Sequence, residues 1–91
     1  MKIYLDVEEE EFDRLFKNIT ANVKRYRKEK GFSQEQLALA IGHSSASMLS
    51  KIEAGLENKH FNIRQIYLIS KALDVPMYEF FQVLEIDKVA N

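Results

Sequence analysis

Ninety-one residues, 46% of them hydrophobic and 30% charged, describe one globular domain rather than a disordered chain. The lack of cysteine excludes a disulfide framework, a thiolate metal site and a thiol nucleophile, and two histidines seventeen residues apart, His43 and His60, are a poor basis for a catalytic zinc site. The longest unbroken apolar run, Leu37 to Ile41, is far below the roughly 20 residues of a membrane span; with no basic n-region before an apolar segment, the chain reads as cytoplasmic. A net charge of −1 argues weakly against a nucleic-acid partner, but the charge is unevenly placed: residues 1–16 carry −4, residues 17–30 carry +5, and each remaining third carries −1.

Met1 to Val7 alternates, with Ile3, Leu5 and Val7 on one side, which is the pattern of a short half-buried strand. Asp6 and Glu9 then have capping-box spacing. At about 100° per residue, Phe12, Leu15, Phe16, Ile19, Val23 and Tyr26 share one arc, which predicts a single long helix ending near Lys30 and stopped by Gly31. Acids at its start and bases at its end suit the macrodipole, and Glu10–Arg14 and Asp13–Lys17 stand in the favourable i,i+4 order. Lys17, Lys24, Arg25 and Lys28 lie opposite the stripe, either as a solvated face or as a nonspecific attractor of phosphate.

The second helix opens at Ser33, with Gln36 completing a capping box and Phe32 stapling to Leu37; Leu37, Ala38 and Ile41 point inward and Gly42 ends it. A third helix is expected from Ser44 or Ser45 to Ala54, stopped by Gly55. A fourth opens at Asn62 with Gln65 three residues on and a Phe61–Ile66 staple, its core face being Ile63, Ile66, Ile69, Ala72 and Leu73. Pro76 suits the start of a fifth helix that buries Met77, Phe80 and Phe81. Val83–Ile86 is a candidate strand to pair with Ile3–Val7.

Two short helices joined by a tight glycine turn have helix-turn-helix geometry. On the second of them, Met48, Leu49 and Ile52 fall on one side, and Ala46, Ser47, Ser50 and Lys51 on the other. The outward side is small and polar with one cation, as insertion into a groove about 12 Å wide requires, although an ordinary amphipathic surface helix has the same pattern.

The strings Arg27-Lys28-Glu29-Lys30-Gly31-Phe32-Ser33-Gln34-Glu35-Gln36-Leu37-Ala38, Ile41-Gly42, Ser50-Lys51-Ile52-Glu53-Ala54-Gly55 and Ile69-Ser70-Lys71-Ala72-Leu73-Asp74-Val75-Pro76 resemble the Cro/phage-repressor helix-turn-helix family, also called the xenobiotic-response-element family. The resemblance covers about residues 19–82. It implies an all-α, five-helix, lambda-repressor-like domain at 19–82, flanked by a strand-and-helix extension at 1–18 and a tail at 83–91. It further implies sequence-specific binding of double-stranded DNA, as a homodimer and without a cofactor.

By the same resemblance Gln34 contacts phosphate and buttresses base-reading side chains. Ser45, Ala46, Ser47, Ser50 and Lys51 lie at the base-facing positions, Asn58, Lys59 and His60 fall in a phosphate-contacting loop, and Arg27 and Glu53 form a structural ion pair. Two departures stand out. The turn Gly42–Ser45 is one residue longer than usual, and the loop Gly55–Phe61 about two residues longer.

Lys51 is suited to guanine O6 or N7, the serines to either kind of partner, and the Ala46 methyl to a thymine methyl. With no Arg, Asn or Gln on this face, direct readout is modest and DNA shape contributes. Gly42-His43-Ser44-Ser45-Ala46 lacks the second glycine and the preceding strand of a nucleophile elbow, so no enzymatic role is expected. Dimerisation has two candidate surfaces: the fifth helix with Met77, Tyr78, Phe80, Phe81 and Leu84, and the extension at residues 1–18. An antitoxin or adaptor, or a protein-interaction module that kept the fold, is the competing class.

Overall fold

The computed structural model describes residues 6–83. Four α-helices, α1 (Glu9–Glu29), α2 (Gln34–Ala40), α3 (Ser47–Ala54) and α4 (Ile63–Leu73), precede a short 3-10 helix, Met77–Phe81. The fold is therefore all-helical, but the fifth helix is a 3-10 turn rather than an α-helix. No strand is present among the described residues. Most of the expected terminal strand pair lies outside them; Asp6, Val7 and Val83 are described and are not in a strand.

The core gathers one stripe from each element: Val23 of α1, Leu37 and Ala38 of α2, Leu49 and Ile52 of α3, Ile66, Ile69 and Leu73 of α4, and Phe80. The 3-10 geometry decides which aromatics reach it. At three residues per turn Met77 and Phe80 share a face, so Phe80 is fully buried while Phe81, expected inside, is turned out and 40% exposed. Ile63, also expected in the core, is 68% exposed. The staple residue Phe61 occupies the core at that end of α4 instead. The Asn62–Gln65 capping box closes reciprocally, with Gln65 N–H donating to Asn62 Oδ1 (2.8 Å) and Asn62 N–H to Gln65 Oε1 (2.9 Å).

Helix α1 starts on a cap two residues later than Asp6. The Glu11 carboxylate accepts from the Glu8 backbone N–H at 3.0 Å. Four consecutive acids, Glu8–Glu11, allow several capping registers, and the helix dipole favours all of them. At 21 residues the helix is about 31 Å long and overhangs the core. Ile19 and Val23 are buried, but Phe12 and Leu15, from the same stripe, are 42% and 47% exposed. The pairs Glu10–Arg14 and Asp13–Lys17 do not close; the basic half instead pairs Arg25 with Glu29 (3.7 Å).

Polar groups tie α1 to the end of the fold. Asn22, completely buried, donates to the carbonyls of Phe80 (2.9 Å) and Gln82 (2.7 Å), and Asn18 also donates to Gln82 O (2.8 Å). Tyr26 packs edge-on against Phe80, and its hydroxyl donates to Glu79 Oε2 at 2.7 Å. That hydrogen bond, helped by burial, raises the phenol above its ordinary pKa. No helix among the described residues is long and apolar enough to cross a membrane.

Candidate nucleic-acid interface

The interface is built on the α2–turn–α3 unit. Ser33 Oγ accepts from Gln36 N–H (3.0 Å) while Gln36 Oε1 accepts from Ser33 N–H (2.8 Å), fixing the start of α2. At its end Gly42 has φ +95°, and a Cβ built there would meet no atom within 4 Å. Glycine is thus required for the left-handed conformation and not for space. The His43 N–H to Ala38 O bond (2.9 Å) completes the reversal.

The next helix begins later than the sequence suggested. Ser44 and Ser45 form a bend, Ala46 is the residue before the helix, and α3 proper starts at Ser47. Ser45 still acts in a cap-like way, its Oγ accepting from Ser47 N–H at 3.3 Å. Ser45 and Ala46 thus lie at the N-terminal edge of α3, and Ser47, Ser50 and Lys51 on the helix itself. Ser45 and Ser47 are exposed, Ala46, Ser50 and Lys51 half-buried, and Leu49 and Ile52 face the core. A shallow cleft of about 220 Å³ is lined by His43, Ser44, Ser45, Ser47, Met48, Lys51 and Lys59.

Behind this surface runs a continuous polar relay. Arg27 holds Glu53 in a bidentate pair (Nε–Oε2 2.9 Å, Nη2–Oε1 3.0 Å) and donates its remaining nitrogen to Phe32 O at 2.7 Å. The side chains of Arg27 and Glu53 are 8% and 2% exposed. Gln34 Nε2 donates to Glu53 Oε1 (3.0 Å), and Ser50 Oγ donates to Gln34 Oε1 (2.7 Å). One chain of hydrogen bonds thus joins α1 and α3 to the first residue of α2, and among the described residues no buried side-chain polar atom lacks a partner. Sequence spacing places Gln34 and Ser50 on neighbouring helices but does not reveal that they bond to one another.

The loop after α3 is less free than its length implies. His60 stacks on Phe16 of α1 (centroids 3.7 Å apart, planes within 10°), and its Nε2 lies 3.2 Å from Asn58 Oδ1. Asn58 and Lys59 are exposed. Glu57, which sequence reading overlooked, lies with its Oε2 3.0 Å from Lys51 Nζ. The only hint in the sequence was the extra length of the loop that carries it. Among the described residues no cluster of three or more His, Asp or Glu side chains is arranged to hold a metal ion.

Comparison with known proteins agrees with this architecture. No match was found among curated protein sequences. Among solved structures, the restriction-modification controller protein C.AhdI from Aeromonas hydrophila is 27% identical with a TM-score of 0.63, over 77% of this chain and 98% of that one. The N-terminal DNA-binding domain of SinR from Bacillus subtilis is 35% identical with a TM-score of 0.62, over 72% and 93%. A hypothetical transcription factor, NHTF from Neisseria, shares the fold along nearly the whole length (TM-score 0.69, 24% identity, 99% and 100%). A family model described as helix-turn-helix matches residues 23–80, from the middle of α1 to the buried Phe80, and the chain belongs to the helix-turn-helix family of the Cro/phage-repressor type.

Proposed function

We propose that this protein is a sequence-specific, duplex-DNA-binding transcription regulator that reads the major groove with α3 as a homodimer. The observation that carries the reading is the two-sided construction of α3. Its apolar side closes the core, while Ser47, Ser50 and Lys51 stay on an accessible polar side, backed by a relay that fixes α2 and α3 relative to each other. A reading helix needs that rigidity, since hydrogen bonds to base edges are lost over displacements of about an ångström. Gln34, Asn58, Lys59 and His60 flank this side of the molecule and supply the phosphate contacts that set register. Ser45 and Ala46 meet the groove at the edge of the helix.

One half-site read this way binds weakly, so two-fold pairing on sites about 34 Å apart is part of the proposal. The two surfaces that the sequence offers for pairing adjoin. The Asn18–Gln82 hydrogen bond joins α1 to the residue after the 3-10 helix, and Phe12 and Leu15 on the one element and Phe81 and Val83 at the other are exposed.

Selection from a random duplex library tests the reading. We expect enrichment of a two-fold-related site, with affinity falling steeply in salt at a logarithmic slope of about −0.9 per neutralised phosphate. No enrichment and no salt dependence would instead favour a protein-interaction module, the reading that the near-neutral net charge best accommodates.

A further inference from the structure

The chain's longest-reaching side chain on the reading surface is not a lone cation. Lys51 Nζ and Glu57 Oε2 are 3.0 Å apart, with the two side chains 39% and 54% exposed. An exposed pair of this kind adds little to stability, and the loop that carries Glu57 holds an unfavourable shape. Glu57 and Asn58 have φ +57° and +50°, the left-handed region that residues with a Cβ avoid. Asparagine tolerates that region; glutamate ordinarily does not. A carboxylate beside a DNA-binding surface also repels phosphate, so its placement calls for a donor it can accept from.

Resting on the DNA-binding reading above, we infer that Lys51 and Glu57 form one base-pair-reading unit specific for a G·C pair, Lys51 on the guanine and Glu57 on the cytosine. In the major groove a G·C pair presents two acceptors, guanine N7 and O6, followed by one donor, the cytosine N4 amino group. O6 and N4 are hydrogen-bonded to each other and so about 3 Å apart, which is the spacing of the ammonium and the carboxylate. Lys51 donates to N7 and O6, and Glu57 accepts from N4. The pair enters the groove with no net charge, and each member keeps the other satisfied on the way in.

The alternatives fit less well. An A·T pair places its amino donor between its two acceptors, so the ammonium loses one of its two neighbouring acceptors. A C·G pair in the reverse orientation sets an amino donor against the ammonium and acceptors against the carboxylate. Glu57 is thus a specificity-determining residue that rejects as well as selects.

The test is parallel selection from a random duplex library with the wild-type chain, Glu57→Ala, Glu57→Gln and Lys51→Ala, each checked by thermal melting for an unchanged fold. The wild type should enrich a site with one fixed G·C pair per half-site. Glu57→Ala should lose preference at that pair by on the order of tenfold and keep it elsewhere, Glu57→Gln, whose amide oxygen still accepts from N4, should lose less, and Lys51→Ala should lose preference at the same pair. If both Glu57 variants bind every sequence more tightly with the same base preferences, Glu57 only repels phosphate and the inference fails while the DNA-binding reading stands. If the Lys51 and Glu57 variants relax different pairs, the inference fails in the same way. If the wild type enriches nothing, both readings fall.

Discussion

Two residues apart on α3, Lys51 and Glu53 each belong to an ion pair, and the pairs do opposite things. Glu53 is held bidentately by Arg27, is nearly inaccessible, and passes its hydrogen bonding on to Gln34 and Ser50. Lys51 meets Glu57 through one contact, and both are open to water. The first pair cannot change partners without leaving a charge stranded in the core, so it fixes the angle between helices. The second can exchange solvent for a ligand at little cost. One helix thus carries a buried, fixed charge on its inner flank and a solvent-exposed one on its outer flank.

The largest expected effect breaks the inner pair. Glu53→Ala leaves Arg27 without its carboxylate and should cost about 3–5 kcal/mol of folding stability, read by urea or thermal denaturation. A variant that melts like the wild type would remove the distinction between the pairs. Ser50→Ala, at the outer end of the relay, takes one hydrogen bond from Gln34 and should cost about 1 kcal/mol, with a matching loss of DNA affinity that reports the relay's positioning role. Lys51→Ala should shift stability by less than about 1 kcal/mol, while weakening binding to the selected site by about 1–3 kcal/mol; a loss of stability larger than its loss of affinity would place Lys51 with the structural group.

The smallest effect lies away from both pairs and appears only in alkali. Tyr26 has its phenol pKa raised in the folded state, chiefly by donating to Glu79. Its contribution is therefore complete below the unfolded value of about 10 and is lost as pH rises through the higher folded value. The melting temperature of the wild type should fall more steeply above pH 10 than that of Tyr26→Phe; parallel curves would show that the bond contributes nothing.

Much of the fold was legible because it is written in short local signals. Ser33–Gln36 and Asn62–Gln65 fix two helix starts by spacing alone, and Gly42 marks the turn because only its conformation permits one there. The misread positions are those where local pattern meets a tertiary limit. Phe12 and Leu15 keep the helical period but lie beyond the end of the core. Phe81 follows α-helical spacing, whereas the segment winds with three residues per turn. Ser44 and Ser45 both suit a cap, but they form a bend and the helix starts past them. Of the candidate interface, the outward side of α3 was legible from periodicity. For the Gln34–Ser50 bond the family resemblance supplied only a buttressing role for Gln34, and the Lys51–Glu57 pair was not legible at all, since each joins separate elements and depends on how the chain returns.

The central claim, that the outward side of α3 is the surface that meets duplex DNA, is tested most directly by amide chemical-shift mapping of the isotopically labelled protein titrated with its selected duplex. The account predicts that the largest shifts cluster at Gln34, at Ser45 to Lys51 and at Glu57 to His60, with α4 and the first half of α1 little changed. Shifts confined to α4 or to the exposed stripe of α1, with α3 unmoved, would contradict it.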